Sequence, residues 1–128
     1  MKKKILLIPI GGTIAAKVPE RTSPLYVSGE AGIEATIASL TDLSSVVEIE
    51  TQRLFVDRQE ISCHSSSLTQ SALLQLSSMV SEALGRSEIA GVIVTQGTDT
   101  LEETAFLLQL TVQSSKPVVL TGAMRPLA

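Results

Sequence analysis

Apolar residues recur along the chain with two different periods, which predict strands alternating with helices. Nearly continuous aliphatic runs over Lys4–Ile10, Ala90–Thr95 and Pro117–Leu120 are typical of strands buried on both faces of a sheet. A fourth segment, Val46–Val56, alternates in places between apolar and polar residues and predicts a further strand. The sequence therefore predicts a sheet of at least four strands.

Stripes of apolar residues at helical spacing lie between these strands. They predict helices over Glu30–Leu40 and Leu101–Gln113, and a long helix that begins near Ser67 and ends at Gly85. The segments Ser67–Gln70 and Thr100–Glu103 each fit a capping box. In that motif the hydroxyl of the first residue accepts a hydrogen bond from the backbone N–H three residues later. The Gln or Glu side chain at that later position accepts one from the backbone N–H of the first residue.

The last strand, helix and strand form a βαβ unit, which predicts parallel strands joined by a right-handed crossover. Alternation of this kind along the whole chain indicates an α/β fold with an open, mostly parallel sheet and helices on both faces. The 128 residues are enough for one domain with one core. We find no internal repeat or interdomain linker.

The first residues allow two interpretations. MKKKILLIPIGGTIAA has a basic start, an apolar run and small residues, as a secretory signal peptide would. The alternative is a first strand entered from a charged edge, which we favour because the apolar run breaks at Gly11-Gly12. No run approaches the roughly 20 apolar residues that a bilayer span requires, so no membrane association is expected.

Composition excludes several classes of function. The formal net charge is −3 and only 2% of residues are aromatic, which argues against binding nucleic acid. Cys63 is the only cysteine and His64 the only histidine, so no disulfide within the chain and no Cys/His zinc set is expected. A single thiol weakly favours a reducing, cytoplasmic location.

Hydroxyl groups follow three of the predicted strands. Thr13 comes three residues after the first strand, Thr98 and Asp99 follow Ala90–Thr95, and Thr121 follows the last strand. Because ligands of open parallel sheets bind beyond the carboxyl ends of the strands, these groups could share one crevice. Alternatively, Thr98 or Asp99 caps the following helix and Thr13 is a turn residue bonded to its own backbone.

A threonine acts as a nucleophile only when another group takes its proton. His64 lies in a Ser-rich segment that we place away from any strand end, with Cys63 facing elsewhere. Neither a Cys–His dyad nor a Ser-His-Asp triad is therefore expected. The activating group is expected to be Lys, Asp or Tyr.

Three motifs together resemble the bacterial-type L-asparaginases and glutaminase-asparaginases: GGTIA, GTDTLEETAF and TGAMRP. The resemblance implies an asparaginase-type hydrolase of linear amides, active in asparagine catabolism, that converts L-asparagine and water to L-aspartate and ammonia. Glutamine is a possible second substrate. It implies no metal and no organic cofactor, and homo-oligomeric assembly in the full-length form.

The resemblance also implies roles for individual residues. Thr13 matches the nucleophile that forms the acyl-enzyme, and Thr98 matches the threonine across the substrate that helps to activate the attacking group. Asp99 matches the carboxylate that binds the α-ammonium group, with Gly97 beside it. Tyr26 falls where the family has a tyrosine on a mobile lid, here the loop Ala16–Val27.

Two positions depart from the family pattern. Arg58 stands where a serine usually holds the α-carboxylate, with Gln59 next to it, and Gln96 replaces a histidine. Arg58 could bind a carboxylate through both its amino groups. The alternative, that Arg58 is a solvated surface side chain and the alignment is locally shifted, stays open. We expect both Arg58 and Gln59 to bind substrate.

The family's catalytic lysine and its smaller C-terminal domain lie downstream of the three motifs, and neither is present in residues 1–128. Lys116 is expected more than about 10 Å from the crevice, at the amino end of its strand. We therefore expect an incomplete catalytic portion that is inactive alone. The alternative is a non-hydrolytic amino-acid-binding or amidotransferase-like subunit, although amidotransferase subunits carry a β-domain before GGTIA.

Overall fold

The computed structural model describes residues 2–16, 37 and 43–125. The strands are β1 (Lys3–Pro9), β2 (Val47–Thr51), β3 (Phe55–Val56), β4 (Gln59–Glu60), β5 (Ile89–Thr95) and β6 (Val118–Thr121). The helices are α1 (Leu43–Val46), α2 (Gln70–Gly85) and α3 (Leu101–Thr111), with short 3₁₀ turns over Thr13–Ala15 and Ser65–Ser67.

Four strands form one parallel sheet in the order β2-β1-β5-β6, and β3 and β4 form a separate antiparallel hairpin. Pro9 pairs with Thr95, and Thr95 pairs with Thr121. The carboxyl ends of β1, β5 and β6 therefore lie side by side at one edge. The predicted α/β fold with a parallel sheet is confirmed, and β1 is a strand of the sheet as we expected.

The main core lies between one face of the sheet and the helices α2 and α3. Alternate residues of a strand point to the same face, and this face carries Leu6 and Ile8 of β1 with Val92 and Val94 of β5. The helices complete the cluster with Ala72, Leu76, Met79, Val80, Ala83, Leu84 and Leu108. Each fully buried aliphatic side chain contributes roughly 1.5–3 kcal/mol, so this face holds much of the fold together.

The predicted strand Val46–Val56 is wrong in its second half. Gln52 donates its N–H to Leu7 in the last backbone bond to β1, and the chain then leaves the sheet with Leu54 buried. Asp57 and Arg58 both have positive φ, 49° and 68°. That left-handed conformation at both turn residues is what a two-residue hairpin requires, so the chain reverses directly after the predicted strand, which is itself interrupted at residues 52–54.

The predicted start of the long helix is also wrong, whereas its end at Gly85 is right in position but not in backbone conformation. Thr69, not Ser67, is the N-cap of α2, because its Oγ1 accepts a hydrogen bond from the Ala72 N–H at 3.2 Å. Gly85 is the last helical residue and does not end the helix in a left-handed conformation. Instead, the Lys116 ammonium donates to the carbonyls of Leu84 and Arg86 at 2.9 and 2.6 Å. A side chain from another part of the chain satisfies the end of this helix.

The predicted helix over Glu30–Leu40 lies outside the described residues except for Ile37, which is helical. Among the helices that the structure describes, none is both long and apolar enough to cross a bilayer.

Ion pairs connect β2 and the amino end of β1 to the end of α2. Arg86 donates to both carboxylate oxygens of Glu50, at 2.7 and 3.0 Å, and to Glu88 at 2.9 Å. Lys4 lies 3.4 Å from Glu50 and 3.2 Å from Glu48. The hydrogen bonds from Arg86 lower the pKa of Glu50 from 4.5 to about 2.

We predict that this network makes the free energy of unfolding depend on pH below neutrality. A carboxyl whose pKa is lowered in the folded state stabilises the fold above its unfolded pKa. For Glu50 this contribution is lost as pH falls from 4.5 towards about 2. Urea unfolding from pH 7 to pH 2.5 should show Glu50→Gln destabilised at pH 7 and approaching the parent at the lowest pH.

The matched control for this prediction is Glu60→Gln. It removes the exposed Arg53–Glu60 pair of the hairpin, and exposed single pairs contribute little. A Glu50→Gln variant with the same stability as the parent at pH 7 would contradict the role of this network.

Candidate active site at the carboxyl edge of the sheet

Three turns meet at the carboxyl edge, one after each of β1, β5 and β6. Ile10 donates its N–H to the carbonyl of Thr95 at 2.8 Å, and Gln96 donates to that of Thr121 at 3.1 Å. The strand ladder therefore continues one residue beyond each strand before the turns begin. This fixes the start of the GGT turn (Gly11–Thr13) against the start of the QGTD turn (Gln96–Asp99).

The GGT and QGTD turns touch each other through their backbones. A Cβ atom added to Gly12 would lie 2.3 Å from the backbone nitrogen of Gly97. Gly12 also has a φ of 79°, in the left-handed region that favours glycine. No other residue type fits at Gly12 without moving one turn away from the other. The predicted juxtaposition of the two motifs at one edge is what the structure shows.

Both threonines lie in these touching turns. Thr13 is half-buried and begins the 3₁₀ turn Thr13–Ala15, and its carbonyl accepts from the Ala16 N–H. Thr98 is exposed, and its Oγ1 lies 3.7 Å from the sulfur of Met124. A Cβ on Gly122 would lie 3.1 Å from the Thr98 methyl group, so the turn after β6 also packs against this residue.

Asp99 is exposed and immediately precedes the helix α3. The N-cap position of α3 is Thr100, so neither Thr98 nor Asp99 occupies the helix-capping position that we left as an alternative. Their side chains lie at the rim of the sheet instead. The predicted capping box is wrong as well, because the Thr100 hydroxyl makes no cap and donates to the carbonyl of Ser65 at 3.0 Å.

Ser65 is a site residue that the sequence did not indicate. It is 2% exposed, and its Oγ accepts from the Thr100 N–H at 3.3 Å. A Cβ on Gly97 would lie 3.0 Å from this Oγ, so the serine packs against the QGTD turn. Ser65 is one of several serines in a row, and nothing in their pattern distinguishes it.

The segment before Ser65 lies close to the GGT turn. Cys63 donates its N–H to the carbonyl of Ile10 at 2.9 Å, and a Cβ on Gly11 would lie 2.8 Å from that same nitrogen. Our expectation that Cys63 and His64 lie away from any strand end is therefore wrong. Burial raises the pKa of the Cys63 thiol, which keeps it protonated at neutral pH and disfavours it as a nucleophile.

Other residues predicted for the site lie elsewhere or outside the described residues. Arg58 and Gln59 are exposed on the β3–β4 hairpin, and the segment that contacts Gly97 is the one around Ser65. Their role in binding substrate stays a prediction. Tyr26 lies outside the described residues, as does the rest of its loop apart from Ala16. Lys116 lies at the opposite edge, beside the end of α2.

The assembled edge brings two hydroxyl groups and one carboxylate into neighbouring turns, with a buried serine beneath them. Gln96, at the base of the QGTD turn, is fully buried and presents a neutral amide. Within residues 2–16 and 43–125, no group of three His, Cys, Asp or Glu side chains could hold a metal ion. Such a set of side chains suits a small ligand with an amino group and a group open to nucleophilic attack.

Comparison with known proteins agrees with the motifs. The family model described as "Asparaginase, N-terminal" matches residues 4–128. Over 123 residues the chain is 35% identical to L-asparaginase 2 of Bacillus subtilis, covering 95% of this chain and 31% of that protein. It is also 35% identical over 123 residues to a glutaminase-asparaginase of Pseudomonas fluorescens, covering 95% of this chain and 32% of that protein.

Among solved structures, the probable cytoplasmic L-asparaginase from Campylobacter jejuni matches with a TM-score of 0.85 and 33% identity. The match covers 98% of this chain and 36% of that one. The chain thus spans about a third of the length of the proteins that it resembles.

We predict that Gly12→Ala separates the two motif turns. Its Cβ would meet the Gly97 backbone at a positive φ, and overpacking with backbone strain together costs on the order of 3 kcal/mol. Urea unfolding measures this loss. The control is Gly85→Ala, whose Cβ would meet nothing within 4 Å and which should stabilise α2 by roughly 0.5–1 kcal/mol. Equal stability of the two variants would contradict the close contact.

Proposed function

Because the chain belongs to the asparaginase family, we propose that it carries the threonine-bearing part of an L-asparaginase-type amidohydrolase. Its reaction converts L-asparagine and water to L-aspartate and ammonia, with L-glutamine as a second possible substrate. The observation that carries this proposal is the contact of Gly12 with Gly97, which holds the Thr13 and Thr98 turns together at one edge.

Thr13 is the proposed nucleophile. Its Oγ1 attacks the carbon of the side-chain amide while its proton passes to a base, giving a tetrahedral intermediate. The carbon–nitrogen bond then breaks, the nitrogen takes a proton and ammonia leaves, so that an ester to Thr13 remains. A water molecule attacks this ester and releases aspartate. Thr98, in the neighbouring turn, positions or activates the attacking group in these steps.

Asp99 is the proposed partner of the substrate's α-ammonium group. Its side chain is exposed at the carboxyl edge, directly after Thr98, so that one turn carries both the activating hydroxyl and the binding carboxylate. A charged hydrogen bond between a carboxylate and an ammonium group is about twice as strong as a neutral one. Asp99 would thereby orient the substrate with its amide towards the threonines.

Ser65 and Arg58 are alternative candidates for binding the substrate's α-carboxylate. The resemblance implies a serine for this role, and Ser65 is the serine that packs against Gly97. Its burial would strengthen a hydrogen bond to a carboxylate oxygen. Arg58 could take the role only if the exposed hairpin that carries it reaches the bound substrate.

The proposed reaction needs a base, and among the described residues no lysine lies at this edge. Lys116 is the only lysine after Thr98 in the sequence, and its ammonium is held by the carbonyls of Leu84 and Arg86. We therefore propose that residues 1–128 bind the amino acid but release ammonia only together with a lysine-bearing segment. A lid role for Tyr26, assembly as a homo-oligomer and a cytoplasmic location are part of the same proposal.

The test of this function is a fusion of residues 1–128 to the part of Bacillus subtilis L-asparaginase 2 that follows its matched region. We predict ammonia release from L-asparagine by the fusion, and a loss of at least about a thousandfold in Thr13→Ala because the nucleophile is removed. Thr51→Ala is the matched control, since Thr51 is exposed at the same edge on β2. Undiminished activity in Thr13→Ala would contradict the assignment.

We also predict that Asp99→Asn weakens binding of L-aspartate to residues 1–128. Loss of a charged hydrogen bond corresponds to about a 10- to 100-fold higher Kd, measurable by calorimetry. The control Glu102→Gln removes one exposed carboxylate a turn further along α3 and should leave the Kd nearly unchanged. Tight binding in the fusion without any ammonia release would favour the non-hydrolytic alternative.

A further inference from the structure

Thr100 stands at the N-cap position of α3 but does not cap the helix. Its φ and ψ of −129° and 25° differ from the extended values of the cap at α2, and no amide of the first turn donates to its side chain. The hydroxyl donates instead to the backbone carbonyl of Ser65, at 3.0 Å. A residue type that normally stabilises the start of its own helix is used here to reach another segment.

Thr100 donates two hydrogen bonds to Ser65. The Thr100 N–H donates to Ser65 Oγ at 3.3 Å, while the Thr100 hydroxyl donates to the Ser65 carbonyl. Two hydrogen bonds between the same two residues restrict both their separation and their relative rotation. Ser65 is 2% exposed, and its carbonyl also accepts from the Leu68 N–H at 3.1 Å, so the bond from Thr100 adds to one that closes the 3₁₀ turn. We call this pair of bonds the Ser65–Thr100 clamp.

The helix end of the clamp is itself held in place. Thr104 donates both its N–H and its hydroxyl to the carbonyl of Thr100, at 3.1 and 3.3 Å, and Thr104 is fully buried. Thr100 therefore moves with α3 rather than with the turn before it. The clamp connects the 3₁₀ turn Ser65–Ser67 to a rigid helix.

The clamp also leaves the proton of the Ser65 hydroxyl available for a hydrogen bond to a ligand. Since Ser65 Oγ accepts from the Thr100 N–H, its own proton can be donated to a ligand oxygen. The residues just before Thr100 are Thr98 and Asp99, and Gly97 packs against Ser65 Oγ. One pair of bonds thus determines the position of Ser65 relative to the proposed amino-binding carboxylate.

We propose that Thr100 is a positioning residue of the candidate site, which fixes Ser65 relative to Thr98 and Asp99 so that both ends of an α-amino acid are bound at once. This inference rests on the proposed function. It assigns no contact between Thr100 and the ligand, and it predicts that loss of the clamp weakens ligand binding by a larger factor than loss of an equivalent hydrogen bond elsewhere in α3.

The test uses residues 1–128 with L-aspartate as the probe in calorimetry. Thr100→Val keeps the shape and the backbone N–H but removes the hydroxyl that bonds the Ser65 carbonyl, and we expect about a tenfold higher Kd. Thr100→Ser retains a hydroxyl and should bring the Kd back to within about twofold of the parent. Unchanged binding by Thr100→Val, or no recovery in Thr100→Ser, would overturn the proposal.

The same helix supplies the matched control, Thr111→Val. Thr111 Oγ1 accepts from the Ser77 hydroxyl at 2.7 Å and so joins α3 to α2 at its far end. This variant should lose a comparable amount of thermal stability while its Kd for L-aspartate stays within about twofold of the parent. An equally large rise in Kd would show that any loosening of α3 weakens binding, which would also overturn the proposal.

Amide hydrogen exchange of the unliganded protein distinguishes failure of the clamp from failure of the proposed function. We expect Thr100→Val to speed exchange at Gly97–Asp99 and Ser65–Ser67 by about tenfold or more, and Thr111→Val not to. If the parent binds no L-aspartate, the proposed function loses its support, and this exchange difference alone decides the clamp. Equal exchange in the two variants would then overturn it.

Discussion

The candidate site depends on one close backbone contact, between the turn that follows β1 and the turn that follows β5. Parallel pairing brings the ends of these strands to one edge, with Pro9 opposite Thr95. The absence of a side chain at Gly12 then lets the two turns touch. Neither requirement alone would suffice, because parallel strands with bulkier turns would hold the two motif threonines apart. The glycines therefore set the geometry of the turns that carry the hydroxyls proposed for catalysis.

Polar and charged groups at the amino ends of the strands have a different role from those at the carboxyl ends. Near the amino ends of the strands, Arg86 and Lys4 pair with Glu50 of β2, and Lys116 binds the carbonyls of Leu84 and Arg86. At the carboxyl edge, Thr98 and Asp99 keep exposed polar groups. Because Lys116 is already engaged on the far side, moving it to the threonines would remove its two hydrogen bonds to these carbonyls. Its structural role thus explains why it is a poor substitute for a catalytic base.

Periodicity and motif spacing predicted the strands, the two main helices and the meeting of the GGT and QGTD turns. What they could not predict is where individual hydroxyl groups bond. Thr69 caps α2 although Ala72 stands where a capping box has Glu or Gln, whereas Thr100, which fits a capping box in sequence, bonds Ser65 instead. The acceptor that Thr100 uses lies in a segment 35 residues away, which local sequence does not reveal. The hairpin at Asp57 and Arg58 was missed because Arg58 stands where such turns favour glycine after an aspartate.

The residues proposed to bind the substrate are different from the group that must accept the threonine proton. Asp99 and Ser65 are held by the turns and by the start of α3, all within the described residues, so the groups proposed to bind the two ends of an amino acid both lie in this part of the chain. A threonine hydroxyl, by contrast, is a weak nucleophile until a base takes its proton. If Asp99 pairs with an ammonium group, its carboxylate is no longer available for that step. The base would then come from a different segment, whereas both groups proposed to bind the ligand lie at this edge.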